Sequence, residues 1–269
     1  MMILKEIRKH LYIYSLFLKN CLASNMEYRA NFITGMISEI AYLFPKLLYI
    51  AVSYSLDIHI NGLTPDSILL FIGTYTFITG VMSAMIFSNY ASIGGYVRSG
   101  NLDMFITKPI SLQFMTTLRN VDIGVAVPNV IGGIVMICIA WSRLGLSADI
   151  VNIAGYTLLV AEGLVVTYAV VMSIAMLAFW IVDTGSIYSI VVSFWDFNTM
   201  PMNIYGKWLK RIGVFAIPIF VISNFPCLFL LRQMSFIYIL WSFIVPVLSN
   251  VVLRLFWKLS IRNYSSASS

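Results

Sequence analysis

Long uninterrupted apolar runs constrain this chain more than any other feature. Stretches at about 31–56, 67–87, 121–141, 153–182 and 236–257 each hold the roughly 20 residues that cross a hydrocarbon core of about 30 Å. The runs are continuous rather than alternating, which excludes outer-membrane strands. Only 10% of the 269 residues are charged, against about 25% in soluble domains. So little charge cannot clothe a water-facing surface, and the reading is an all-α polytopic membrane protein.

The first 30 residues do not read as a cleavable leader. Lys5, Glu6, Arg8, Lys9 and His10 are interleaved with Leu4, Ile7 and Leu11, and no small-residue cleavage site follows. The row Leu4, Ile7, Leu11, Tyr14, Leu18, Leu22 has helical spacing. Residues 1–30 are expected to form a basic amphipathic helix lying on the cytoplasmic membrane face, and residues 31–269 the transmembrane domain.

After Asp183 the pattern becomes irregular. A short apolar piece at 184–199 is the fifth span, and 201–231 is interrupted by Pro201, Gly206, Lys207, Lys210, Arg211, Pro218, Asn224 and Pro226. Lys and Arg concentrate in the N-terminal segment, in 88–120 and at the C-terminus, whereas the loop 57–66 has none. Positive charge marks cytoplasmic loops, so six spans with both termini in the cytoplasm fit. Lys207, Lys210 and Arg211 resist this, because they then lie outside. Making 212–231 a seventh span would strand Lys258 and Arg262 on the wrong face. The preferred reading gives 201–231 an amphipathic helix and a broken, re-entrant hairpin, since irregular backbone at membrane depth survives only inside protein or beside a wet cavity.

No catalytic constellation is visible. His10 and His59 fall on opposite sides of this topology, and Cys21, Cys138 and Cys227 are scattered, without the spacing of a metal site or a disulfide framework. There is no GxxxxGK[ST] phosphate loop, so the chain is not expected to hydrolyse ATP. The excess of positive charge, +6 overall, forms no run dense enough to suggest nucleic acid. Ionisable residues inside spans need an explanation, because each is costly in hydrocarbon. Glu39 and Lys46, seven residues apart, share one helix face. They line a pathway, pair across a helix interface, or snorkel to the nearer surface. Glu162 lies about 14 Å into its span and faces either a functional interior or a structural partner. Asp122 and Asp183 fall at span ends. Trp141, Trp180, Trp208 and Trp257 suit interfacial belts, and Gly124, Gly132 and Gly133 would let helices approach closely. Between the second and third spans, Gly100 or Asn101 breaks the chain before a short amphipathic piece that Lys108-Pro109 ends.

That segment, VRSGNLDMFITKPISLQF, resembles the pattern of ABC-2-type transporter permeases. It does so at Arg98, Gly100, Leu102, Asp103, Lys108, Pro109 and Phe114. The block MPMNIYGKWLKRIGVFAIPIFVISNFPCLFLL resembles the family's late proline-rich region at Pro201, Ile204, Tyr205, Leu209, Arg211, Pro218, Phe220 and Pro226, and EYRANF resembles the approach to its first span. Ile106, where leucine is expected, and Cys227, where alanine is expected, depart mildly. The resemblance implies six helices per permease, paired as a homodimer or with a sister permease in the bacterial plasma (inner) membrane. Two copies of a separate ABC ATPase would bind ATP and Mg, this chain needing no cofactor or metal. It also implies that 88–120 carries a coupling helix and that the chain works in export, a hydrophobic or amphipathic drug, lipid, peptide or glycoconjugate being the cargo class. Leu102, Phe105 and Ile106 are the expected docking residues for the ATPase, with Arg98, Asp103, Lys108 and Pro109 bracing the loop. The alternative is an ion-coupled carrier built on Glu39, Lys46 and Glu162.

Overall fold

The computed structural model describes residues 2–59, 62–181 and 184–264. Helix α1 (Met2–Glu27) turns at Tyr28 into α2 (Arg29–Ser55). Next come α3 (Pro65–Met82) and α4 (Ser88–Arg98), joined without interruption by a π turn at Ser83–Phe87. Two short helices follow, α5 (Leu102–Ile106) and α6 (Leu112–Thr117), and then α7 (Ile123–Arg143) and α8 (Ile150–Ala175), the last extended by a 3-10 turn. The chain finishes with α9 (Thr184–Asp196), α10 (Lys207–Arg211), α11 (Ile219–Leu230) and α12 (Phe236–Asn263). Five stretches are long and apolar enough to cross a membrane: α2, α3–α4, α7, α8 with its extension, and α12. A sixth candidate is a broken one. The helix from Lys207 to Ala216 meets α11 at 99°, with Pro218 at the corner.

The second span runs further than its apolar stretch, to Arg98 rather than residue 87. Asn89 explains this. Its side-chain amide donates to Met85 O and to Asn120 O, each at 2.7 Å, and its Oδ1 accepts from Asn120 N at 2.8 Å. A residue that reads as a loop-former in sequence is thus satisfied inside a helix by the strand of chain that returns to α7. Asn120 continues the clasp, donating to Ser92 Oγ and Tyr96 Oη. Gly100, at φ +71°, then ends α4 in the left-handed conformation that a residue without Cβ adopts freely.

The fifth expected span, 184–199, is α9 followed by a 3-10 turn at Phe197–Thr199. Its 13 helical residues rise about 20 Å, short of the roughly 30 Å hydrocarbon core. The expectation for Asp183 lies outside the described residues.

α3 is the centre of the bundle. It packs on α7 through glycines from both sides. A Cβ on Gly133 would sit 2.5 Å from the backbone N of Phe77, and one on Gly80 would sit 2.8 Å from that of Val130. Gly124 likewise lies tight against Phe32 of α2, while Gly132 makes ordinary contact with the Leu43 side chain. Close backbone approach of this kind is how helices associate where no hydrophobic effect drives them together. α8 and α11 cover α3 from the other side, with Gly163 lying against the carbonyl of Ile222. α2 is by contrast mostly uncovered, exposing Ile33, Ile37, Phe44 and Leu48.

The hairpin 201–231 opens beside the N-terminal end of α3, where Met202, Asn203 and Asn224 meet Leu63, Ser67 and Phe71. Asn224 Oδ1 accepts from Met202 N at 2.7 Å, Ser223 donates to Asn198 at 2.7 Å, and the Tyr205 ring stacks on Phe220 at 5.0 Å.

Gly133→Ala is expected to force α3 and α7 apart and to cost about 1–3 kcal/mol, read as a lower melting temperature in detergent. Gly95→Ala is the control. It meets nothing within 4 Å, lies in a helix where alanine is favoured, and should leave melting unchanged or raised.

Candidate functional site

Helix α1 supplies the floor of the region that the sequence singles out. Its apolar row splits, with Leu4, Ile7 and Leu11 outward and Tyr14 and Leu18 turned partly inward. The inward face grips α6. Phe114 lies among His10 at 4.9 Å, Phe17 at 5.9 Å and Tyr14 at 6.5 Å. Lys9 Nζ donates to the carbonyl of Pro109 at 2.5 Å, and Cys21 Sγ lies between Arg119 O and Val121 N. α6 is tied to α8 as well, through Thr117 and Gln113 to the Tyr168 hydroxyl at 2.8 and 3.3 Å.

α5 sits on this platform. Leu102 and Phe105 are only 1% and 5% exposed. The Phe105 ring takes Tyr96 edge-on at 5.1 Å and Arg119 over its face at 5.2 Å. Of the three apolar residues expected to face a partner, only Ile106 is exposed. Met104 joins it, the two being 51% and 57% exposed. Amphipathic spacing in a helix of barely more than one turn does not say which face is inward, and the aromatic clasp around Phe105 decides it. Arg98 donates to Gly94 O on its own helix. Asp103 and Lys108 line a cavity of about 610 Å³ with Phe17, Met104 and Arg119. Asp103 also faces the C-terminal Tyr264. Burial first, and this carboxylate second, push the Tyr264 phenol above its ordinary pKa.

The intramembrane charges occupy two places. Glu39 and Lys46 both lean from α2 onto α7, where fully buried Asn129 lies between them. Its amide nitrogen donates to Glu39 Oε2 at 2.5 Å, and its Oδ1 accepts from Lys46 Nζ at 3.5 Å. Lys46 also stands over the Tyr75 ring at 5.1 Å. Sequence reading missed Asn129; the signal available was an amide inside an apolar run one residue after Pro128. Glu162 is elsewhere, on α8, 9% exposed, with Oε1 lacking a hydrogen-bond partner among the described residues. The three residues therefore do not converge.

At the opposite end from α1, Tyr54 donates to Asp66, which Arg143 approaches at 4.0 Å. Asp149 caps α8, and Arg232 reaches Asn152 at 3.0 Å. The Ser147 hydroxyl and then the Asn152 N–H hold the Asp149 carboxylate below its usual pKa. The stability this cap confers is thus present at neutral pH and is lost only as the pH falls through the lowered value. A largely apolar cavity of about 370 Å³ lies between α8, the corner at Ile217-Pro218 and α12. No group of three or more possible metal ligands occurs among the described residues.

Central packing through glycines, several membrane-length helices and a broken hairpin define a multi-pass helical membrane protein. A family model described as ABC-2 family transporter protein matches residues 40–268. The chain belongs to that family, whose members are membrane subunits working with an ABC ATPase. Comparison with curated proteins and with solved structures finds no match.

Asn129→Ala should leave Glu39 and Lys46 without their bridge and cost about 1–3 kcal/mol, seen as a lower melting temperature. Adding Glu39→Gln and Lys46→Met should recover most of the loss, because the stranded charges are then gone. An unchanged melt in the single variant would remove the structural role assigned to Asn129.

Proposed function

We propose that this chain is the membrane-spanning half of an exporter driven by two copies of a separate ABC ATPase that bind ATP and Mg. In this reading the α1 end faces the cytoplasm, and the permease pairs with a second copy or a sister permease. The observation that carries the proposal is the construction of the α5–α6 segment. It presents Met104 and Ile106 outward while being fastened to α1 through Phe114, to α4 through Asn120 and to α8 through Tyr168. A push on that segment reaches three helices at once. Closure of the ATPase would do useful work only if it meets two permease states with different free energies, and a rigid lever of this kind would carry that difference to the spans. Leu102 and Phe105 serve as its internal support, and Arg98, Asp103, Lys108 and Pro109 brace it.

The cargo class that fits is hydrophobic or amphipathic: a drug, lipid, peptide or glycoconjugate. Support comes from the apolar cavity under the Pro218 corner. Gentle purification from the native membrane should bring down a stoichiometric protein bearing a phosphate-binding loop. Met104→Asp with Ile106→Asp should cut transport per ATP hydrolysed by at least about tenfold without lowering the yield of folded permease. Leu102→Asp should instead lower that yield. Unchanged coupling in the Met104/Ile106 variant would sink the docking assignment.

A second reading is favoured by Glu162, a buried carboxylate with an open oxygen. An ion-coupled carrier using Glu39, Lys46 and Glu162 would transport alone in vesicles under a pH gradient, and Glu162→Gln would abolish it. Transport that requires ATP and the partner removes this reading.

A further inference from the structure

A further cavity, of about 250 Å³, opens between α4, the last turn of α8 and the start of α9. Small residues make its walls: Gly94 from α4, Ala175 and Ala178 from the end of α8, and Gly185 from α9. Elsewhere in the molecule small residues bring helices into backbone contact, as at Gly133. Here they leave open space, whose lining forfeits dispersion contacts unless something fills it. Two tyrosines complete the site. Tyr90 is 5% exposed and Tyr188 is 53% exposed, their rings 6.2 Å apart and inclined by 29°. The buried Tyr90 hydroxyl has no hydrogen-bond partner among the described residues. Such a group is expected to be satisfied by water or by a ligand. No charged side chain lines the cavity, and the exposure of Tyr188, Ala91 and Gly185 gives it a mouth on the α9 side.

We infer that this cavity is a binding site for an uncharged, planar aromatic molecule of roughly two or three fused rings carrying one hydrogen-bond acceptor. The tyrosine faces supply the aromatic contact, the alanines and glycines supply the slot, and Tyr90 supplies the donor. The inference rests on the export reading for its purpose, because it names a class of cargo and the place where that cargo is first held. It does not need the export reading for its test. Water filling the space, or a lipid tail lying in it, are the competing occupants.

The test uses the full-length protein in phosphatidylcholine nanodiscs, with acridine and anthracene as matched probes. They share a shape, but only acridine has a ring nitrogen that accepts a hydrogen bond. Saturable binding of both is expected, with acridine tighter by about three- to tenfold. Tyr90→Phe should erase that preference while leaving anthracene unchanged. Ala178→Leu should fill the slot and abolish saturable binding of both probes. Ala91→Leu, at the exposed mouth where folding is not at stake, should weaken both. Non-saturable partitioning alone, as water or lipid occupancy would produce, overturns the inference. So does saturable acridine binding that ignores all three substitutions. Loss of the ATPase in co-purification with binding intact would remove the export reading and keep the site. ATP-driven transport without binding would do the reverse.

Discussion

The contact between α3 and α7 supports everything else in this molecule. Two backbones can approach this closely only because glycines stand at the crossing, and Gly133 has no room for even one more carbon. In a bilayer, lipid tails are as apolar as the side chains, so helices gain by packing density rather than by escape from water. Once α3 is held there, it is covered by α8 and α11 as well, and the broken hairpin 201–231 has a wall to lean on. The uncovered helices, α2 above all, keep large apolar side chains such as Ile37 and Phe44 exposed.

Amides perform most of the polar work at depth. Asn89 and Asn120 close the two ends of the α4–α6 segment, Asn129 joins Glu39 and Lys46, and Asn198 and Asn224 hold the hairpin. An amide donates and accepts without carrying charge, so it avoids the large desolvation cost of an ion while tying two elements at once. The Asn89–Asn120 clasp has the greatest mechanical consequence. It makes α4, α5 and α6 one body, continuous with the second span. With α1 gripping Phe114, that body is fastened to α1 as well as to α8.

Several local features were legible from residue types and spacing. The short helix between Gly100 and Pro109 stands where a left-handed glycine and a proline put it. The break at Pro218 was expected because a chain interrupted so often cannot cross as one helix. The spacing of Glu39 and Lys46 placed them on one face, as found. Their mediator was missed, because Asn129 lies 90 residues from Glu39 and an amide after Pro128 does not say which helix it will meet. Leu102 and Phe105 had the right character for a docking face, yet they point inward. Both faces of a helix of five residues are plausible until Tyr96 and Arg119 are seen around the phenylalanine.

The sequence by itself determined the solvent, the class and the order of the parts. Apolar runs of membrane length leave no other phase in which to fold, and turn chemistry at glycine and proline acts within a few residues. Only the tertiary structure decided which polar residues are satisfied and by what. It decided that the second span continues through Ser88 and Asn89, that Met104 rather than Leu102 faces outward, and that Glu162 stands apart from the other charges. The physical reason is that contacts from elsewhere in the chain settle what local pattern leaves open: Asn120 satisfies Asn89, and Tyr96 and Arg119 hold Phe105 inward.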